Sequence, residues 1–236
     1  MTKSIISKKI LFWYDNNKRI LPWRKNTSKE QKLYFTLVSE FMLQQTQVST
    51  VIPYFKRFVQ KIPNFKKLSK ANDQTLMKLW EGLGYYSRAR NLKKSAIMIN
   101  GKFGGNLPSN IEDLKSLPGV GDYTSTAIMA IAFNQKFIPL DGNVERILKR
   151  VLYLRSEKAI SKENMQISKK FFGLSERASD YAQAIMELGA LVCRPTSPLC
   201  DKCPISMNCI SYKRKDFSLI KKTKKNKIKY FEANIY

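Results

Sequence analysis

The chain has 236 residues, enough for one large domain or two small ones with buried cores. Lysine and arginine number 43 against 18 aspartates and glutamates, and the formal charge of +25 favours a nucleic-acid partner. No apolar run reaches the roughly 18 residues of a membrane-spanning helix, and no signal peptide opens the chain, so we expect a cytoplasmic protein with no membrane partner. Histidine is absent, which excludes histidine bases, serine–histidine triads and histidine-ligated metals.

Apolar residues recur at intervals of three and four along most of the chain, and they predict an all-α protein. The final segment, 213–236, is strongly basic and ends in aromatic residues. It is interpreted either as a disordered tail or as the first strand of a further domain. The predicted helices cover 4–17, 31–46, 50–60, 73–81, 87–99, 110–117, 122–133, 143–153, 162–173 and 178–192.

Glu40 lies in the run YFTLVSEFMLQQTQV. At helical spacing its neighbours are Leu37 and Leu43 on one side and Thr36 and Gln44 on the other, so it lies between an apolar stripe and a polar face. A carboxyl that is partly desolvated there would have a raised pKa and could donate a proton near neutral pH. The alternative is an ordinary exposed glutamate on a helix surface.

The run GLGYYSRAR, which contains Tyr85 and Arg88, combines glycines, adjacent aromatic residues and two arginines. Aromatic side chains can stack on bases, and arginines can bind phosphates or stack beside them. The run therefore predicts a nucleic-acid surface.

The run LPGVGDYTSTA joins two predicted helices through Gly119, Val120 and Gly121. Two glycines allow a tight turn and a close approach to a ligand, and the first N–H groups of the next helix are free to bind an anion. In a chain this basic the expected anion is a DNA phosphate, so the run predicts a helix-hairpin-helix; the alternative is a plain glycine turn. Tyr123 begins the second helix, either as a core aromatic or as a site residue.

Asp141 lies in the run PLDGNVER, directly before a predicted helix. Helix capping would explain Asp141 or Asn143. The functional interpretation is an ionised carboxylate facing a developing cation, an interaction worth roughly 4 kcal/mol at about 4 Å and an effective dielectric constant near 20. Glu40 and Asp141 would then match the proton donor and the cation stabiliser that break glycosidic bonds.

The four cysteines lie within 17 residues, with the spacing C-x6-C-x2-C-x5-C. Zinc sites usually pair two C-x2-C units, and only one is present. A [4Fe–4S] cluster takes one thiolate per iron and tolerates wider spacings. We expect a [4Fe–4S] cluster, with zinc and unrelated thiols as alternatives. The ligands would be Cys193, Cys200, Cys203 and Cys209.

Together these segments resemble the adenine DNA glycosylase (MutY) family of the helix-hairpin-helix DNA glycosylase superfamily. The resemblance covers about residues 4–212. The matching runs are LPWR at 21–24, SEFMLQQTQVSTVIPYF at 39–55, GLGYYSRARN at 82–91, LPGVGDYT at 117–124, LDGNV at 140–144, MELGA at 186–190 and the four cysteines.

The resemblance implies a two-lobed all-α fold with a C-terminal [4Fe–4S] loop. A six-helix lobe with the helix-hairpin-helix would cover 29–134, and a cluster-bearing lobe would combine 1–28 with 135–212. Members of the family usually continue into a Nudix-like domain that recognises 8-oxoguanine opposite the adenine. This chain stops about where the first strand of that domain would begin. We therefore expect adenine removal to be retained, while the preference for 8-oxoguanine over guanine stays open.

The resemblance also implies roles for single residues. Glu40 would protonate adenine N7, Asp141 would stabilise the oxocarbenium ion, and Asn143 and Tyr123 would assist at the same centre. Endonuclease III enzymes have a lysine where this chain has Tyr123. A lysine can form a Schiff base with the sugar and cleave the strand, whereas a phenol cannot, so a monofunctional glycosylase is expected. The residues expected to line the adenine pocket are Arg19, Trp23, Arg24, Leu43 and Glu187.

The implied partner is double-stranded DNA with a flipped-out adenine, bound by a monomer in the bacterial nucleoid. Gln45 would enter the base stack as a wedge with Tyr85 beside it. One alternative is a glycosylase that removes thymine from T·G mismatches. The other is a non-catalytic, cluster-bearing DNA-binding module.

Overall fold

The structure is a computed structural model that describes residues 5–25, 27–154 and 170–217. Within these ranges every regular element is helical, which confirms the predicted all-α class. The α-helices are α1 (Ile5–Asn17), α2 (Lys29–Leu43), α3 (Val48–Lys61), α4 (Phe65–Ser69), α5 (Asp73–Trp80), α6 (Ser87–Lys102), α7 (Ile111–Ser116), α8 (Asp122–Ile131), α9 (Gly142–Leu152), α10 (Ala178–Leu191) and α11 (Ile210–Arg214).

The helix ends differ from the predicted ones where the backbone leaves the helical region. The helix predicted over 31–46 ends at Leu43, because Gln44 has ψ 111° and Gln45 has φ +55°. The five-residue helices α4 and α11 are too short to show a helical repeat of apolar residues, and the sequence did not predict them. Most of the helix predicted over 162–173 lies outside the described residues, although 170–172 is helical.

Buried apolar side chains form two clusters. The first is built from α2 to α8 and contains the fully buried Phe41, Phe58 and Trp80. The second combines α1, α9, α10 and the cysteine segment, and it contains Tyr14 and Phe172. The first helix of the chain therefore packs with helices near its C-terminal part.

The two clusters are joined where α8 packs against α10. The Ser179 hydroxyl donates to the carbonyl of Ile131 at 2.8 Å, and its N–H donates to Asn134 Oδ1 at 2.9 Å. On the other side of α10, the Arg177 guanidinium binds both carboxylate oxygens of Asp15 on α1. These contacts fix α10 against both neighbouring helices.

The segment between α7 and α8 forms the predicted hairpin. Val120 is buried in the first cluster, which holds the tip of the turn against the core. Gly119 has φ +82°, and a Cβ there would lie 2.9 Å from Phe41 Cε1 and 3.0 Å from Asn91 Cβ. Gly121, the N-cap of α8, has φ −97° and space for a Cβ. The hairpin therefore requires only its first glycine for steric reasons.

Within the described part of the chain, no helix combines the length and the apolar character that a bilayer crossing would require.

We expect Gly119→Ala to lower the free energy of unfolding by about 1–3 kcal/mol, because the positive φ and the contact with Phe41 both oppose a Cβ. The matched substitution Gly121→Ala should change stability by no more than about 0.5 kcal/mol. Chemical denaturation of the two variants and the parent measures the difference. Equal stabilities for the two variants would contradict this account of the hairpin.

Candidate active site

A cavity of about 940 Å³ is lined by residues of both hydrophobic clusters and of the 3-10 helix Pro22–Arg24. Glu40 on α2 and Asp141 before α9 are far apart in sequence, yet both face this cavity. The structure therefore brings together most of the residues expected at the site. Those lining the cavity are Arg19, Trp23, Arg24, Glu40, Leu43, Tyr123, Asp141, Asn143 and Glu187.

The carboxyl of Glu40 is buried, with 6% of the residue exposed. Burial, together with a smaller contribution from the negative charge of Asp141, raises its pKa to about 7. A hydrogen bond with Tyr123 and the positive charge of Arg24 act in the opposite direction and lower this pKa. A carboxyl with this pKa is partly protonated at neutral pH and can serve as a general acid.

Asp141 is the N-cap of α9, as helix capping alone would predict, and its carboxylate also faces the cavity. Its Oδ1 accepts a hydrogen bond from the Val144 N–H at 2.7 Å, and its Oδ2 accepts one from Asn143 Nδ2 at 2.8 Å. These two hydrogen bonds fix the orientation of the carboxylate. The capping role of Asp141 is therefore compatible with its position on the cavity.

Arg146, which sequence reasoning missed, holds the amide of Asn143. One of its Nη2 hydrogen bonds goes to Asn143 Oδ1 at 2.7 Å and another to the Gly189 carbonyl at 2.8 Å, and its Nε donates to the Cys193 carbonyl at 2.8 Å. Because Oδ1 of Asn143 accepts from Arg146, the amide nitrogen is left to donate to Asp141. The spacing of three residues between Asn143 and Arg146 could have indicated this pair.

Gly189 allows α10 to pass close to the start of α9. A Cβ there would lie 2.6 Å from Asn143 Cβ and 3.1 Å from the Asn143 carbonyl carbon. Any larger residue would push away the turn that carries Asn143 and Asp141. The glycine of the run MELGA thus sets the position of one wall of the cavity.

Tyr123 lies between Glu40 and Met186. Burial raises the pKa of its phenol well above the ordinary value, and the carboxylates of Glu40 and Asp141 raise it further. The phenol therefore stays protonated, and its oxygen is 3.5 Å from Met186 Sδ. Met186 and Gln183 also line the cavity, and sequence reasoning did not select either of them.

A second buried carboxylate, Glu187, lies on another wall, with only 1% of its side chain exposed. It accepts hydrogen bonds from the Arg19 backbone N–H and Nε, both at 3.2 Å, and from Arg24 Nη1 at 2.5 Å. Two guanidinium groups compensate its charge. The Trp23 ring lies edge-on to Phe55, with a centroid distance of 5.3 Å, so this wall combines ion pairs with an aromatic surface.

Gln45 and Tyr85 lie on exposed turns and do not line the cavity. Arg88 was expected on a nucleic-acid surface, but it is only 6% exposed and its Nη groups bind main-chain carbonyls. Its guanidinium is therefore used within the fold.

The four cysteines line one small cavity next to α9, together with Arg150 and Phe217. Arg150 Nη1 lies 3.4 Å from Cys193 Sγ. Burial, with smaller contributions from the other three thiols, raises the pKa of Cys203 to about 12, so the four cysteines lie close enough to interact. No three cysteines or carboxylates among the described residues are arranged to hold a single metal ion. Four thiols around a cavity fit a polynuclear cluster, in which each binds its own iron.

Comparison with known proteins identifies the family to which this chain belongs. Residues 38–172 match the model of the HhH-GPD superfamily, base excision DNA repair protein. The adenine DNA glycosylase of Rattus norvegicus is 44% identical over 216 residues, which are 87% of this chain and 41% of the rat protein. That of Buchnera aphidicola subsp. Acyrthosiphon pisum is 38% identical over 98% of this chain and 67% of its own length. The chain thus spans about two-fifths of the rat protein and two-thirds of the bacterial one.

Solved structures share the fold. A thermostable thymine-DNA glycosylase superposes with a TM-score of 0.78 at 26% identity, over 89% of this chain and 96% of that one. An endonuclease III in a non-covalent DNA complex superposes with a TM-score of 0.70 at 22% identity, over 91% and 98% of the two chains. The match to the family model over residues 38–172 and the identity to curated relatives show that the chain belongs to the HhH-GPD superfamily of base excision DNA repair proteins and, within it, to the adenine DNA glycosylase family.

Proposed function

We propose that this chain is a monofunctional adenine DNA glycosylase that acts as a monomer on adenine mispaired with 8-oxoguanine or guanine in double-stranded DNA. One observation carries the proposal. Glu40, with a pKa raised to about 7, and the capped carboxylate of Asp141 face the same cavity. A proton donor and an anion on one cavity are what cleavage of an N-glycosidic bond requires.

In the proposed reaction a flipped-out adenine enters the cavity and the Glu40 carboxyl transfers its proton to N7. The bond between N9 and C1′ then breaks, and the bonding electrons leave with the base. Asp141 stabilises the positive charge on the sugar, and water adds to C1′ and gives its proton to the Glu40 carboxylate, which restores the acid. Asn143 orients Asp141 and Tyr123 orients Glu40. Because Tyr123 has no amine, the sugar forms no Schiff base and the strand is not cleaved by the enzyme.

The wall formed by Arg19, Arg24 and Glu187 would bind the polar edge of the adenine. These three side chains are linked by hydrogen bonds, so their donors and acceptors are held in place before the base arrives. Trp23 and Leu43 would contact the faces of the purine ring. A pre-ordered pocket reduces the entropy that is lost when the base binds.

The two hydrophobic clusters support a division into two lobes, one at 29–134 and one at 1–28 plus 135–212. DNA would bind across both lobes. The N–H groups at the start of α8, which follow the turn of Gly119, Val120 and Gly121, would bind a backbone phosphate. Gln45 and Tyr85 would enter the duplex from their exposed turns. The formal charge of +25 favours this polyanionic partner, which for a bacterial protein is the nucleoid DNA.

The four cysteines would hold a [4Fe–4S] cluster. Cys193, Cys200, Cys203 and Cys209 supply one thiolate for each iron. When bound, the cluster would cross-link this segment and shape a basic loop that contacts DNA. Arg150, which binds the carbonyls of Arg194 and Pro195, would hold the first part of the same loop.

Adenine is favoured over thymine on two grounds. The curated adenine DNA glycosylases are 37–44% identical to this chain, whereas the thymine-DNA glycosylase structure is 26% identical. In addition, protonation by Glu40 has a natural target at N7 of a purine, which pyrimidines lack.

Incubation with A·8-oxoguanine, A·G, T·G and thymine-glycol duplexes, followed by hot alkali, tests the proposal. We expect alkali-dependent cleavage of the adenine strand only, and no borohydride trapping on DNA. Glu40→Gln should lower excision by about a thousandfold or more, because the amide cannot donate the proton, while DNA affinity is kept. Cleavage of the T·G duplex alone would support the thymine alternative. No cleavage of any duplex would support the non-catalytic module.

For the metal centre, we expect the purified protein to be brown, with broad visible absorbance and about four irons per chain. Replacement of Cys203 by serine should lower the iron content and the absorbance together. A colourless protein that contains zinc would contradict the assignment.

A further inference from the structure

Gln45 and Tyr85, both exposed, adopt the left-handed backbone conformation on separate turns. Gln45 has φ +55° two residues after the end of α2, and Tyr85 has φ +49° two residues before the start of α6. This conformation costs energy for residues other than glycine and persists only where the surroundings hold it. Tyr85 is 61% exposed, so packing of its own side chain does not explain how its turn is held.

One buried guanidinium connects the two turns. Arg88 Nη1 donates to the Gln44 carbonyl at 2.5 Å, and its Nη2 donates to the Gly84 carbonyl at 3.0 Å. These are the carbonyls directly before Gln45 and Tyr85. The same two nitrogens also bind the carbonyls of Phe41, Met42 and Leu83.

Further contacts fix the guanidinium and the second turn together. The Arg88 guanidinium carbon lies 5.7 Å from the centroid of Trp80 and 5.3 Å from that of Tyr85. Trp80 Nε1 donates to the same Gly84 carbonyl at 3.1 Å. Gly82 has φ +88°, and a Cβ there would collide with the Tyr54 hydroxyl. The turn therefore has little freedom to move independently of Arg88.

We propose that Arg88 is a positioning residue that holds the two turns in fixed register, so that Gln45 and Tyr85 enter the duplex together. This inference rests on the proposed function, in which both residues insert into DNA. Only an arginine can serve, because its planar group directs several N–H donors outward at fixed angles. A lysine has a single nitrogen and cannot reach the carbonyls of both turns at once.

The test uses the whole protein with Glu40→Gln, so that its readout is DNA distortion and does not depend on excision. A 2-aminopurine placed beside the A·8-oxoguanine pair reports unstacking through its fluorescence. We expect Arg88→Lys to lower the fluorescence increase of the bound complex about tenfold, because the turns lose their shared hydrogen bonds. Arg57→Lys, the same substitution at an exposed arginine of α3, should leave it unchanged. An unchanged increase in Arg88→Lys would overturn the inference.

Two further variants separate positioning from a general loss of structure. Gly84→Ala disturbs the second turn alone, since Gly84 has φ +76° and a Cβ would meet no atom; it should also lower the fluorescence increase. In protein with Glu40 intact, Arg88→Lys should slow excision about tenfold. The same substitution should not slow excision further in protein that already carries both Gln45→Ala and Tyr85→Ala. A further tenfold loss of excision in that double variant would contradict the positioning role, and so would an unchanged fluorescence increase with Gly84→Ala.

The parent protein separates this inference from the proposed function. If the Glu40→Gln parent unstacks the reporter while Arg88→Lys does so equally, only the role of Arg88 is refuted. If the parent neither unstacks the reporter nor, with Glu40 restored, excises a base, the proposed function itself fails.

Discussion

The chemistry of this site depends on one buried carboxyl, that of Glu40. Removal from water, with a smaller contribution from the nearby Asp141, raises its pKa to about 7. The carboxylate of Asp141 accepts hydrogen bonds from the Val144 N–H and the Asn143 amide. The two carboxyls face the same cavity but have different surroundings, and different surroundings are how two carboxyls at one site take different roles.

The rest of the fold positions these groups through arginines that bind main-chain carbonyls and through close helix packing. Arg146 connects the carbonyl of Cys193 to Asn143, and so connects the cysteine segment to Asp141. Gly189 sets the approach of α10 to the start of α9. Arg88 has a similar role beside the first hydrophobic cluster, where its guanidinium binds the carbonyls of Gln44 and Gly84 on two turns. Arg88 is buried and Arg146 is half-buried, so part of the charge of +25 that predicts a nucleic-acid partner is used inside the fold.

The sequence predicted those features that depend on the spacing of neighbouring residues. The helical repeat located the long helices, and the neighbours of Glu40 placed it beside an apolar stripe. The run before α9 predicted the cap at Asp141. The role of Arg88 could not be predicted in this way, because the carbonyls that it binds come from residues 41 to 44 as well as from its own turn. The end of α2 at Leu43 was also missed, since the left-handed Gln45 depends on those tertiary hydrogen bonds.

The central claim is the raised pKa of Glu40, and carbon-13 NMR of the glutamate carboxyls measures it directly, with Glu40→Gln to assign the signal. We expect a midpoint near pH 7, against an ordinary value of 4.5, and a lower midpoint in Asp141→Asn. Because protonation is tighter in the folded state, this group should destabilise the fold progressively as pH rises from about 4.5 to about 7. The acid form, and excision with it, should decline through the same midpoint near 7. A Glu40 signal that titrates near 4.5 would contradict the account.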